Sequence, residues 1–353
     1  MISLFRATGF RCLDNVELRL DPCFNLISGA NASGKTSILE ALAYLGRGRS
    51  FRGAHPESLT QHGKKQFILY GEIEDTDKNI SMGVKNGLGG LETRINGESA
   101  KGISTLIETL PLQVIDPEIH NLVSGGPERR RQYIDWVTFH VEHGYLKLWR
   151  KYKRSLKQRN AALKSKSKRS LIQSWDKEFV ELASNIDEAR KKALEKILLN
   201  FESLGRKIIN LEFSFEYQEG WSSKKDLKIA LDDGYERDIF LGATQNGPHR
   251  ADLKIDLTKK QARKLVSRGQ QKLLASAMVL AATETVQNSL NKPLLLLLDD
   301  PAAELDSESV YRLMESVSSL GCQVVATSIN PQNVKFSKNP KMFHVEQGYI
   351  SLC

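Results

Sequence analysis

Cysteine is scarce in this chain. Cys12, Cys23, Cys322 and Cys353 are the only four in 353 residues, and no two form a CxxC pair. That pattern excludes a disulfide framework and a zinc finger or ribbon, and it fits a reducing cytosol. The seven histidines show no ligand spacing, so a histidine-built metal centre is not expected either. Long hydrophobic runs are missing too. Stretches such as Leu294 to Leu298 fall far short of a bilayer span, so no membrane segment is expected. The N-terminus, Met1-Ile-Ser-Leu-Phe-Arg-Ala, lacks a basic leader followed by an apolar core, so no signal peptide is expected there. The last absence is of acid: between His143 and Trp175 there is no Asp or Glu.

That same stretch holds Lys147, Arg150, Lys151, Lys153, Arg154, Lys157, Arg159, Lys164, Lys166, Lys168 and Arg169, and the whole chain carries a formal charge of +9. A merely solvated helix mixes signs; a block of one sign points to nucleic acid or to an acidic protein. Lys147, Lys151, Lys153, Arg154, Lys157 and Arg159 are therefore candidate DNA contacts. At this length roughly 75% of the unfolded surface can be buried, so no staple is needed, and two lobes are more natural than one core.

Local pattern divides the chain. Strand-like stretches run from Ile2 to Ala7, Val16 to Leu20 and Phe24 to Ser28, followed by an amphipathic helix from Lys35 to about Leu45. Phe67 to Ile73, Ile80 to Val84 and Glu92 to Ile95 alternate around glycine-rich turns and predict an antiparallel meander. From Pro127 to about Ile209 the pattern is helical, with a loop at Lys164 to Lys168, and strand character returns from Leu211 to Tyr217. The expected organisation is an α/β lobe over 1–115, an inserted helical lobe over 116–237, and a second part of the α/β lobe over 238–353.

Between the third strand and the first helix stands Gly29-Ala30-Asn31-Ala32-Ser33-Gly34-Lys35-Thr36, a GxxxxGK[ST] loop followed by Ser37. Glycines let such a loop curl until its N–H groups converge on phosphate oxygens at the helix N-terminus. Lys35 then reaches the β- and γ-phosphates of ATP, and the Thr36 hydroxyl can ligate Mg²⁺. The five leucines from Leu294 read as a strand buried on both faces, and they end in Asp299-Asp300, where a parallel sheet opens its ligand crevice. Asp299 is expected to hold Mg²⁺ with Thr36, and Asp300 to polarise the attacking water. Upstream lies Ser267-Arg268-Gly269-Gln270, opening an apolar helix. Alone it would be a helix cap. The order of P-loop, Ser-x-Gly-Gln, Asp-Asp and then Glu304-Leu-Asp306 gives it more weight.

That order resembles the ABC-type ATPase heads, where Ser-x-Gly-Gln is the signature motif. Within them the chain is similar to the RecF family over nearly its whole length. The blocks are GANASGKT, LGRGRSFRG from Leu45, IDPEIHNLVSGGPERRRQYIDW from Ile115, LKQRNAAL from Leu156, GPHRADL from Gly247, SRGQQK and DDPAAELD. SMC proteins share the heads but carry long coiled coils where this chain has a short helical insert. The resemblance implies an ABC-type α/β ATPase lobe, a mixed sheet with an antiparallel meander, plus an inserted, mainly helical lobe. It implies a weak DNA-dependent ATPase that dimerises on ATP, with Ser267, Gly269 and Gln270 meeting ATP held by the other subunit's Lys35. It further implies binding to gapped or junction DNA in the cytoplasm, work with RecR and RecO, and aid to RecA loading and the SOS response.

Several residues depart from the pattern. Arg268 occupies the first Gly position of the general ABC signature, and Ala303 stands where RecF proteins commonly have Ser. Asp300 replaces the usual ABC Glu, which implies slow turnover. Thr327 or Ser328 stands at the switch position instead of His, and Gln113 is a candidate for the Q-loop glutamine or a surface residue. His249 and Arg250 read as turn residues or as a DNA or dimer-interface element. Two rival functions share these motifs, a transporter's ATPase subunit and a nucleotide-gated scaffold. The first leaves the acid-free block unexplained.

Overall fold

The computed structural model describes residues 1–74, 79–209, 211–257, 260–261 and 266–353. They form two compact units, Met1–Ile119 with Asn291–Cys353, and His120–Leu290. The second is thus inserted into the first. Its end lies at Leu290 and not at the expected 237. The reason is the helix Arg268–Leu290, buried from Gln271 to Val286 apart from Glu284, which packs on the helices Asp176–Ile208 and Pro127–Val141 of the inserted unit. An element buried nearly all round must be surrounded, and these helices surround it.

The first unit holds two six-stranded sheets. One is antiparallel throughout and includes the expected meander, Gln66–Glu74, Asn79–Gly87 and Gly90–Ile95, beside Ile2–Phe10 and Leu13–Arg19. The other runs parallel through Lys341–Glu346, Phe24–Ser28, Gln323–Ser328, Leu295–Leu298 and Leu112–Ile115, with Tyr349–Leu352 antiparallel at its edge. The leucine strand is paired on both sides and fully buried, which is why it does not alternate. The helix Lys35–Arg47 contacts strands of both sheets. Ile38, Leu39, Leu42, Tyr44 and Leu45 are all at or near zero exposure there, joining one core with Phe5, Phe10 and Phe67.

The inserted unit is mainly helical: Pro127–Val141, Tyr145–Lys164, Arg169–Ser174 and Asp176–Ile208, with a three-stranded antiparallel sheet built on Phe213–Gln218 and Asp252–Leu257. The predicted break after Lys164 is present. Its core gathers Tyr145, Tyr152, Leu156, Phe179 and Ile186. No helix among the described residues is long and apolar enough to cross a membrane.

Candidate nucleotide site and nucleic-acid surface

The glycine loop leaves the strand Phe24–Ser28 and enters its helix at Lys35. Gly29 cannot carry a side chain: an added Cβ would lie 2.4 Å from the Val345 carbonyl oxygen and 2.7 Å from Ser33 Oγ. Gly34 takes a φ of 116°, and Ala32 sits at 62°, the left-handed region that a residue with a Cβ rarely adopts. Lys35 Nζ donates to the carbonyls of Gly29 (2.8 Å) and Ala30 (2.7 Å), folded back over its own loop. Burial pulls its pKa below the ordinary lysine value, against the opposing pull of Asp300 and Asp299. Ser33 Oγ is buried and has no hydrogen-bond partner. A curled loop, an ammonium resting on carbonyls and an orphaned hydroxyl form a cradle that fits a polyphosphate.

The parallel register sets the acids beside it. Thr36 Oγ1 lies 3.0 Å from each oxygen of the Asp299 carboxylate. Asp299 also receives the Thr327 hydroxyl at 2.8 Å, and its amide donates to Ile115 O at 2.9 Å. A hydroxyl and a carboxylate facing a phosphate cradle form the hard-oxygen donor set of Mg²⁺, which is held by few protein ligands plus substrate oxygens. No group of three or more His, Cys, Asp or Glu side chains placed to hold a metal ion occurs among the described residues. Asp300 is partly exposed at a φ of 46°. Glu40, fully buried on the P-loop helix, accepts Arg11 Nε (2.6 Å) and Nη2 (3.0 Å) and the Ser50 hydroxyl, tying that helix to the turn after the first strand. Gln113 is not a surface residue: it is buried and accepts Arg47 Nη2 at 3.2 Å.

Ser267, Gly269 and Gln270 belong to the inserted unit and not to the unit of the P-loop. Gln270 Oε1 accepts the Ser267 amide (2.9 Å) and Ser267 Oγ accepts the Gln270 amide (3.3 Å), a reciprocal capping box. Both side chains are exposed, at the positive end of the helix Arg268–Leu290.

The basic block sorts by helical face. Lys147, Lys151, Lys153, Arg154 and Lys157 are exposed on Tyr145–Lys164 and enter no ion pair among the described residues. Lys153 and Lys157, with Leu156, Asn160, Ala161 and Lys164, line a groove of about 550 Å³. Arg159 must be withdrawn from the DNA candidates. It is 1% exposed and donates to Asp176 Oδ1, Asp238 Oδ2 and Thr244 Oγ1, each at 2.8 Å. Of the run Arg129, Arg130 and Arg131, only Arg129 is exposed; Arg130 pairs with Asp252 at 2.7 Å. His249 is also internal. Its Nε2 faces the Thr244 carbonyl (2.9 Å) and so carries the proton, leaving Nδ1 to accept the Tyr152 hydroxyl (2.6 Å). Burial drives its pKa down to about 4. The acidic partners of Arg159 lie far from it in the chain, so the charge pattern alone does not reveal the cluster.

A P-loop and an acid-tipped strand in one parallel sheet, next to an antiparallel sheet and interrupted by a helical insert, define an ATP-hydrolysing head of the ABC type. The family described as RecF/RecN/SMC N terminal domain matches residues 1–351. The chain is 36% identical to the DNA replication and repair protein RecF of Shewanella loihica, over 99% of both chains. It is 38% identical to RecF of Erwinia tasmaniensis, over 97% of this chain and 96% of that one. A solved structure of the recombination mediator protein RecF with ATP, in the RecFOR pathway, superposes with a TM-score of 0.89 at 26% identity, covering 100% and 97% of the two chains. An Smc head bound to the C-winged helix domain of ScpA shares the fold at a TM-score of 0.62 and 17% identity. The chain belongs to the RecF family. It binds and hydrolyses ATP with Mg²⁺.

Proposed function

We propose that this protein is an ATP-gated DNA-binding protein of recombinational repair and replication, acting in the cytoplasm at gaps or junctions between single- and double-stranded DNA. The observation that carries the reading is the pairing, in one chain, of the nucleotide cradle with an acid-free exposed helix face. Lys35 and the loop amides grip the terminal phosphates, Thr36 and Asp299 hold the cation that offsets phosphate charge, and Asp300 orients water for attack. One cradle covers the phosphates from one side. Ser267, Gly269 and Gln270 of a second copy, exposed at a helix N-terminus, are suited to cover the other, so ATP joins two copies and hydrolysis releases them. Family membership supports work with RecR and RecO and indirect aid to RecA and the SOS response. That the relatives named above are repair and Smc head proteins favours this reading over a transporter subunit.

The test is DNA affinity against salt, with single-turnover hydrolysis measured with and without gapped DNA. Counterion release predicts a linear fall of log affinity with log salt. Reversing the charges of Lys151, Lys153, Arg154 and Lys157 flattens that line by roughly one slope unit per phosphate lost. An unchanged slope refutes the assignment of this face.

A further inference from the structure

The strand Gln323–Ser328 runs parallel to Leu295–Leu298 with Leu298 opposite Ala326, so Thr327 comes level with Asp299. Thr327 is fully buried. Its hydroxyl oxygen accepts the Asp300 amide at 3.0 Å and lies 2.8 Å from Asp299 Oδ1 and 3.5 Å from the Leu298 carbonyl. A hydroxyl has one hydrogen, and the short contact to a charged oxygen takes it. One side chain therefore donates to the first acid of the pair and accepts from the backbone of the second.

Both acids need such support. The Asp299 carboxylate is gripped from the P-loop by Thr36 and from within the sheet by Thr327. Asp300 sits at a φ of 46°, which costs a side-chain-bearing residue energy unless its surroundings hold it there. The adjacent hydroxyl is otherwise engaged: Ser328 Oγ donates to Asn330 O at 2.8 Å.

We propose that Thr327 is the positioning residue of the acidic pair, aiming the Asp299 carboxylate at the cation and holding Asp300 in its left-handed turn. The hydroxyl at the switch position is thus directed at the acids and not at the terminal phosphate. The inference rests on Asp299 being the cation-binding carboxylate.

The test titrates Mn²⁺ into the full chain with saturating ADP, reading the free ion by electron paramagnetic resonance. ADP affinity is measured separately in EDTA. Thr327→Val and Thr327→Ala both remove the hydroxyl, so the loss of either protein to misfolding leaves the other. A lost hydrogen bond to a charged group weakens Mn²⁺ binding roughly tenfold, with ADP affinity in EDTA unchanged. Thr327→Ser restores Mn²⁺ affinity to within about twofold, because the hydroxyl returns. Wild-type Mn²⁺ affinity in Thr327→Val, or a Ser variant as weak as Val, overturns the inference while Asp299→Asn still loses Mn²⁺. If Asp299→Asn also binds Mn²⁺ normally, the cation assignment itself falls and the inference with it.

Discussion

Arg159 separates two explanations of one basic block. Replacing it with Ala deletes three 2.8 Å hydrogen bonds and leaves Asp238, at 0% exposure, and the buried Asp176 without their counter-charge. Removing one partner of a buried ion pair costs about 3–5 kcal/mol, since the remaining charge stays desolvated. Each kcal/mol lowers the midpoint of a unit this size by about 2–4 °C, so a drop of roughly 6–20 °C is expected. Lys157, on the outer face of the same helix, should cost within about 0.5 kcal/mol when changed to Ala. Circular dichroism melts at low and high salt measure both. The Arg159 effect should persist in high salt, because a buried pair is little screened. DNA binding, measured well below the melt, should show the reverse ranking: Lys157→Ala lowers the salt slope by about one and Arg159→Ala leaves it alone. An Arg159→Ala protein that melts like wild type but has a flattened slope refutes the reasoning.

Other outcomes follow from the same geometry. His249 is held at a pKa of about 4 against an ordinary 6.5, so the unfolded chain takes up its proton first as pH falls. Stability is full above pH 6.5 and is lost toward pH 4 by about 3 kcal/mol; urea denaturation should show His249→Gln losing less over that window. Ala32→Gly relieves a left-handed alanine and, after glycine's extra unfolded-state entropy, should stabilise by up to about 1 kcal/mol in the same assay. Asp300→Asn should retain ATP binding but slow single-turnover hydrolysis by about 100-fold or more, the usual scale of a lost general base; loss of ATP binding would make Asp300 a ligand.

The parts of the fold legible in the sequence are those written in neighbouring residues. The P-loop, the leucine strand with its acids and each strand of the alternating meander declare themselves within about ten residues, and the structure has them at those places. One boundary and one buried charge are concealed. The inserted unit continues to Leu290 because the helix from Arg268 finds its partners in Asp176–Ile208 and Pro127–Val141, far away in the chain. Arg159 read as one more cation in a basic run because Asp176 and Asp238, 17 and 79 residues distant, meet it only in the folded unit. Charge counting cannot tell the buried side of a helix from the wet one. The apolar positions Tyr152, Leu156 and Leu163, on the same face as Arg159, did carry that signal.

In the proposed function, ATP joins two copies of this chain, each completing the other's site. Lys35→Met removes the ammonium of the cradle and leaves Ser267 intact; Ser267→Arg does the reverse. Each variant alone should fail to hydrolyse ATP, the first for want of nucleotide binding and the second for want of dimerisation. Mixed in equal amounts with ATP and DNA, with heterodimers verified by crosslinking, they contain pairs with one whole composite site. The decisive measurement is the hydrolysis rate of that mixture. Recovery to a substantial fraction of wild type is expected, and full activity of the Ser267→Arg protein as a monomer would exclude a site shared between copies.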